Sequence, residues 1–178
     1  MNSDWHDLDR ARHGDKAAWQ ALLDRHYSRL LSMTLLITGN PAAAQDIAQE
    51  AVVKLFRAEI RHRTGTVGGL LTTIAYRLAV KEKNRTNRHT DLEHAQPAAS
   101  SPSPLDALIS AERQRHVAEA IQQLDDEHRA ALALRFYGGH SYQEIADLTG
   151  VPLGTVKSRI FYAVKNCQAE LRKRGVLE

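Results

Sequence analysis

Ser141-Tyr142-Gln143-Glu144-Ile145-Ala146-Asp147-Leu148-Thr149-Gly150-Val151-Pro152-Leu153-Gly154-Thr155-Val156-Lys157-Ser158-Arg159-Ile160 reads as two helices and the turn between them. Ser141 with Glu144 three residues on forms a capping box, in which each side chain satisfies an N–H left free at a helix start. The first helix ends near Leu148, and Thr149-Gly150-Val151 makes a tight turn for which Gly150 supplies a positive φ. A last helix then runs from Pro152 to about Arg174. Ala146 is small where the helices cross, and Ile145, Val156 and Ile160 fill the space between them. The outward residues at the start of the second helix are Thr155, Lys157, Ser158 and Arg159, which together with Ser141 suit base edges and phosphates in a major groove. The same pattern also fits an ordinary helical hairpin with a solvated polar face. Lys165, Arg172, Lys173 and Arg174 either hold a nucleic-acid backbone or favour the helix C-terminus electrostatically.

Apolar residues recur at helical spacing through most of the chain, and alternating Val/Ile/Thr runs are absent, so the fold class is all-α. Asp15 caps a helix with Trp19, Leu22, Leu23, His26, Tyr27, Leu30 and Leu31 on one face, ended by Gly39-Asn40. Asn40-Pro41 reads as N-cap and first residue of a second helix, reaching about Arg61, with Ala44, Ile47, Ala48, Ala51, Val52, Leu55 and Phe56 as its buried stripe. Gly65, Gly68 and Gly69 read as a loop, after which Leu71, Ile74, Ala75 and Leu78 resume a third helix. Trp19 reads as core, while Trp5 either packs the first turns or frays. From Thr86 to Pro104 the sequence is polar and rich in Ala, Ser and Pro, the composition of a flexible linker. Leu105, Leu108, Ile109, Val117, Ala120, Ile121 and Leu124 begin a second unit. A shorter helix follows with Ala130, Ala131, Leu134 and Phe136 on its apolar face, closed by Gly138-Gly139. The expected organisation is two small helical domains, 1–88 and 105–178, joined by a linker at 89–104.

With 178 residues and 43% apolar residues, the chain is long enough for one ordinary core or two small ones. Its one cysteine, Cys167, excludes an internal disulfide and suits a reducing cytosol. No apolar run approaches a membrane span and no leader pattern opens the chain, so the expectation is a cytoplasmic protein. Net charge is only +3, yet Lys54 to Arg88 holds nine Lys/Arg against two Glu, a local +7. Within it Arg77, Lys81, Asn84, Arg85 and Arg88 share one helix face, a stripe that fits nucleic acid or a plain solvated surface. Beside the buried stripe of the second helix lie Asp46, Gln49, Glu50, Val53, Lys54 and Arg57, by themselves a routine surface. No phosphate-binding glycine loop, HExxH or local Ser/His/Asp signature is present, and the nine histidines lack paired ligand spacing. The expectation is a protein without catalytic residues, metal or cofactor. A histidine-rich metal protein or enzyme is the weakest of the alternatives.

Three stretches together resemble one family: Asn40-Pro41 through Arg57, Leu71 through Leu78, and Gln123 through Ala163 are similar to the extracytoplasmic-function group of sigma-70 factors. The resemblance implies that Asp46, Gln49, Glu50, Val53 and Lys54 dock on the clamp helices of the largest subunit of core RNA polymerase. It implies that Leu71-Thr72-Thr73-Ile74-Ala75-Tyr76-Arg77 starts the helix that, with its adjoining loop, meets the melted minus-10 promoter element. The helix-turn-helix then corresponds to the minus-35 reader, and an anti-sigma factor is an implied partner. The chain departs from the family pattern at Val67 and Leu70, where an aromatic pair is usual. It departs again at Arg77 for Asn, Lys81 for Asp, Tyr162 for Arg, and Leu124-Asp125 for Leu-Pro. The runner-up is an autonomous helix-turn-helix regulator that dimerises on an operator.

Overall fold

The computed structural model describes residues 3–60, 63, 65–86 and 114–177. Among them are eight helices and no strand: α1 Ser3–Arg12, α2 Lys16–Thr38, α3 Pro41–Arg57, α4 Val67–Thr86, α5 114–122, α6 Asp126–Phe136, α7 Tyr142–Thr149 and α8 Leu153–Lys173. Arg88, the expected linker 89–104 and the residues Leu105, Leu108 and Ile109 lie outside the described residues.

The polar punctuation in the sequence forms the helix ends. Asp15 accepts from the Ala17 and Ala18 N–H groups, and Asn40 accepts from Ala43 with Pro41 at the first helical position. A cap of this kind contributes about 1 kcal/mol. Helices α1, α2, α3 and α4 enclose Leu8, Leu30, Met33, Val67 and Ala75, all essentially without solvent contact. Ala44, Ala48 and Ala51 are fully buried along one line of α3, and their small side chains let the neighbouring helices approach. The buried Thr34 hydroxyl lies 2.9 Å from the Leu31 carbonyl and 3.1 Å from the Ala44 carbonyl, linking α2 to α3.

Four features add to or differ from the expectations. The ten-residue α1 was not foreseen; it holds Trp5, Leu8 and Ala11 in the core and pairs Asp4 and Asp7 with Arg25 of α2. Second, α3 stops at Arg57 instead of near Arg61, because Ala58 turns extended and Arg12 donates to the Leu55 and Ala58 carbonyls at 2.7 and 2.9 Å. Third, Gly68 and Gly69 belong to the first turn of α4, which Thr66 caps by accepting from the Gly69 N–H at 2.9 Å. A Cβ on Gly68 would sit 3.0 Å from the His26 ring, so that glycine permits a close approach and makes no loop. Fourth, Phe56 and Phe136, assigned to buried stripes, are exposed, Phe136 at 56%. Helical spacing places a residue on a face without supplying the neighbour that covers it.

In the C-terminal unit α6, α7 and α8 pack around Leu134, Ile145, Val156, Ile160 and Ala163. Gly150 takes φ 72° as the turn requires. Cys167 is buried in the same core, and burial pushes its thiol pKa up. Buried Arg129 donates to the Gln122 and Leu124 carbonyls at 3.1 Å each, closing the C-terminal end of α5 onto α6. The two units also pack on each other, with α2 against α6. Thr72 Oγ1 and His140 Nε2 are 2.8 Å apart in a buried hydrogen bond, Arg29 donates to the Phe136 carbonyl at 3.3 Å, and Lys83 pairs with Asp126.

Candidate nucleic-acid and polymerase interfaces

The helix-turn-helix is built as its residues imply. Glu144 accepts from the Ser141 N–H at 2.7 Å, and Ser141 Oγ accepts from the Glu144 N–H at 3.2 Å. The Ser141 N–H, with the Ser141 hydroxyl beside it, holds the Glu144 carboxyl below its usual range. The Ser141 hydroxyl is therefore engaged in a cap, at the exposed N-terminus of α7. On α8, Lys157 and Ser158 face solvent and Thr155 is half-buried. Arg159 does not point outward as expected: its side chain is 18% exposed and pairs with Glu127 of α6. One turn further along, Phe161 (62% exposed) and Tyr162 stand out from the helix with their rings edge to face, centroids 5.4 Å apart. Neither was among the expected site residues, although both lie four residues beyond the Lys157-Ser158 pair and so on its side of the helix. Arg135, also unforeseen, lies with its guanidinium carbon 5.3 Å from the centre of the Tyr142 ring and donates to the His140 carbonyl at 3.1 Å.

On α4, Arg77, Lys81, Asn84 and Arg85 are exposed, as the stripe predicts, and Arg85 is paired with Glu82 at 2.8 Å. Arg88 lies outside the described residues. The inner flank of this helix faces the C-terminal unit across a cleft of about 320 Å³ whose walls include Tyr76, Val80, Lys83, Asn84, Glu127 and Arg159. Burial raises the Tyr76 pKa, with Arg159 opposing and Glu127 adding to the shift. The two candidate nucleic-acid faces thus meet in part.

Asp46, Gln49, Glu50, Val53 and Lys54 are all exposed along α3, and Glu50 and Lys54 form an ion pair at 3.3 Å. Next to them runs an open groove of about 680 Å³ between α2 and α3, walled by Trp19, Leu23, Tyr27, Gln49, Val52 and Val53. Trp19 is only partly buried and meets the exposed Phe56 edge to face at 5.2 Å. The α2 side of this surface escaped the sequence reading because its residues were assigned wholly to the core.

The Sigma-70 region 2 family matches residues 22–89, and the Sigma-70 region 4 family matches residues 114–167. The RNA polymerase sigma-H factor of Pseudomonas aeruginosa is 31% identical over 174 residues, covering 88% of this chain and 87% of that protein. The chain belongs to the extracytoplasmic-function group of the sigma-70 family. A second relative is the ECF RNA polymerase sigma factor SigL of Mycobacterium tuberculosis, 30% identical over 169 residues, covering 91% of this chain and 93% of that one. In fold, the sigma factor RpoE of Bartonella quintana, solved in complex with the anti-sigma factor NepR, gives a TM-score of 0.66 at 20% identity over 86% of this chain and 96% of its own.

The family is one of transcription regulators. In this sigma factor the region 2 match begins within α2, so α1 precedes it, and the region 4 match runs from α5 into α8. No described helix is long and apolar enough to cross a membrane, and no group of three or more potential metal ligands gathers among the described residues.

Proposed function

We propose that this sigma factor docks on core RNA polymerase through Asp46, Gln49, Glu50, Val53 and Lys54, and that Trp19, Leu23 and Tyr27 complete the surface. The partner fitting an amphipathic helix face beside an apolar groove is a pair of helices, here the clamp helices of the largest subunit. The minus-10 element falls to the 1–88 unit, through Arg77, Lys81, Asn84, Arg85 and Arg88. The minus-35 element falls to the 105–178 unit, through Ser141, Thr155, Lys157, Ser158 and Arg159, with 89–104 as the tether.

The observation that carries this reading is the capped helix-turn-helix with Lys157 and Ser158 outward, in one chain with a second basic helix, α4. The first module suits base edges and phosphates of duplex DNA. The second suits a strand whose bases have been unstacked, a step that costs a few kcal/mol per base and is offset by contacts to those bases. Tethering raises the effective concentration of each module once the other has bound. The site of action is the cytoplasm, where polymerase and promoter meet. Control by an anti-sigma factor is part of the reading, supported by the complex in which the Bartonella relative of this fold was solved.

Run-off transcription with purified core polymerase, with and without the chain, on a library of upstream fragments tests it. Initiation that requires the chain is the expected result. Failure to bind core alongside sequence-specific DNA binding by the free chain would hand the case to an autonomous regulator.

A further inference from the structure

Helix α1 lies before the segment matched as region 2, and its polar side chains tie it to more than one neighbour. Asp4 and Asp7 pair with Arg25 of α2, His26 Nε2 lies 2.9 Å from the Asp4 carboxylate, and Arg10 donates to Asp15 at 2.9 Å. The Trp5 indole N–H donates to the Gly65 carbonyl at 3.2 Å. Arg12, the last residue of α1, reaches α3. One terminal nitrogen, Nη2, donates to the Leu55 carbonyl at 2.7 Å and to the Ala58 carbonyl at 2.9 Å. Carbonyls in the last turn of a helix have no partner further along it, and a cation at that end also complements the helix dipole.

Capping alone does not explain the choice of arginine. Its Nε is buried with no hydrogen-bond partner among the described residues, and a buried unpaired donor works against folding. What the guanidinium holds in place explains it better. The turn Lys54-Leu55-Phe56-Arg57 carries one end of the exposed face assigned to polymerase. Phe56, 37% exposed in that turn, meets Trp19 edge to face at 5.2 Å, and Trp19 is a wall of the groove between α2 and α3. Helix ends fray when nothing satisfies them. Fraying here would unfix Lys54 and take the Phe56 ring from Trp19.

We infer that Arg12 is a positioning residue of the polymerase-docking surface: through the Leu55 and Ala58 carbonyls it holds the last turn of α3, with Lys54 and the Trp19–Phe56 pair, in the arrangement that core polymerase meets. The inference rests on the docking reading above and adds to it a residue outside the docking helix. Helix α1, braced on α2 by its acidic residues, is the frame from which Arg12 reaches α3.

The test is the affinity of the full-length chain for core polymerase, measured well below the melting temperature of every variant, with hydrogen exchange followed at the end of α3. Arg12→Met keeps the apolar stem and removes the donors. It is expected to weaken core binding by about fivefold and to speed amide exchange at Phe56, Arg57 and Ala58. Arg12→Lys keeps the charge without the planar group and recovers part of the affinity. In double-mutant cycles the Arg12→Met loss couples to Lys54→Ala, in the turn that Arg12 holds. It adds independently to Asp46→Lys, about 12 Å back along the helix. Should Arg12→Met fail to fold, Arg12→Lys carries the same cycles. Wild-type affinity in Arg12→Met overturns the inference. So does a loss that couples equally to Lys54→Ala and Asp46→Lys, or to neither, since that is the mark of a general effect on the fold. If Lys54→Ala and Asp46→Lys themselves leave core affinity unchanged, the docking reading has failed and this inference falls with it.

Discussion

The face of α3 assigned to polymerase and the faces assigned to DNA differ in what they already hold. Along α3 the exposed residues make only the Glu50–Lys54 pair among themselves, and the adjoining groove is open. By contrast, Arg159 of the proposed minus-35 reader is occupied by Glu127, Asn84 of the proposed minus-10 stripe lines the same cleft, and a buried Thr72–His140 bond ties the two units together. Docking on polymerase can use the chain as it stands. If the proposed DNA faces engage two promoter elements at once, the contacts between the units must be given up first, and the apparent affinity falls by the fraction of molecules that have done so.

The strongest way to separate these faces is to empty the C-terminal core. Ile145 is fully buried between α7 and its neighbours, so Ile145→Ala should cost about 2–5 kcal/mol in denaturant unfolding. Minus-35 binding should go with it, while core-polymerase binding through α3 persists. A single transition in which the docking face is lost as well would mean that the units stand or fall together.

Next in size is the arginine. Arg159→Ala should weaken promoter recognition by roughly 1–3 kcal/mol if the side chain reaches a base edge, and the loss should concentrate at one minus-35 position. An equal loss on every sequence marks a phosphate contact instead. Glu127→Gln ought to act in the opposite direction, strengthening DNA binding because Arg159 no longer has to be released. If Glu127→Gln leaves DNA binding unaltered, the pair is no obstacle and Arg159 is as free to act as the exposed residues of α3.

The helix-turn-helix was legible because each step carries its own chemical mark within a few residues: Ser141 and Glu144 at the start, Gly150 at the turn, Val156 and Ile160 facing inward. Asn40-Pro41 and Asp15 were legible for the same reason. What escaped were partnerships across long separations. Nothing near Arg159 announces Glu127, 32 residues earlier, and nothing near Trp5 announces Gly65, 60 residues on. Gly68 was misread because glycine serves equally for a turn and for close approach, and only the His26 ring packed against it decides which. Phe56 and Phe136 failed for a related reason: each lies in the last turn of its helix, where periodicity continues but the cover is incomplete.

On the polymerase side, Glu50→Lys or Asp46→Lys should weaken core binding by about tenfold, ~1.4 kcal/mol, with helix content unchanged. Unaltered affinity in both would remove α3 from the docking surface. The smallest effect concerns the seam between the units. Burial holds the His140 imidazole below its ordinary 6.5, Glu144 opposing and Arg29 assisting, while Thr72 shares its hydrogen bond and Arg135 donates to its carbonyl. With its pKa lowered in the packed state, His140 favours packing fully above 6.5, and that contribution is lost as pH falls below 6.5 toward the lowered value. Small-angle scattering across that range should show the chain expanding on acidification. Thr72→Val, which removes about 1 kcal/mol of hydrogen bonding, should start more expanded and respond less. A radius of gyration indifferent to pH would show that His140 does not gate the seam.

Cys167 gives the helix-turn-helix a chronometer of its own. It is the one thiol in the chain, it is packed into the core of α8, and burial keeps it protonated. Its burial slows a thiol reagent, so the labelling rate reports openings of the helix-turn-helix unit rather than fraying of α1 to α4. Slowed labelling on adding promoter DNA, or core polymerase, would show directly which partner steadies the module.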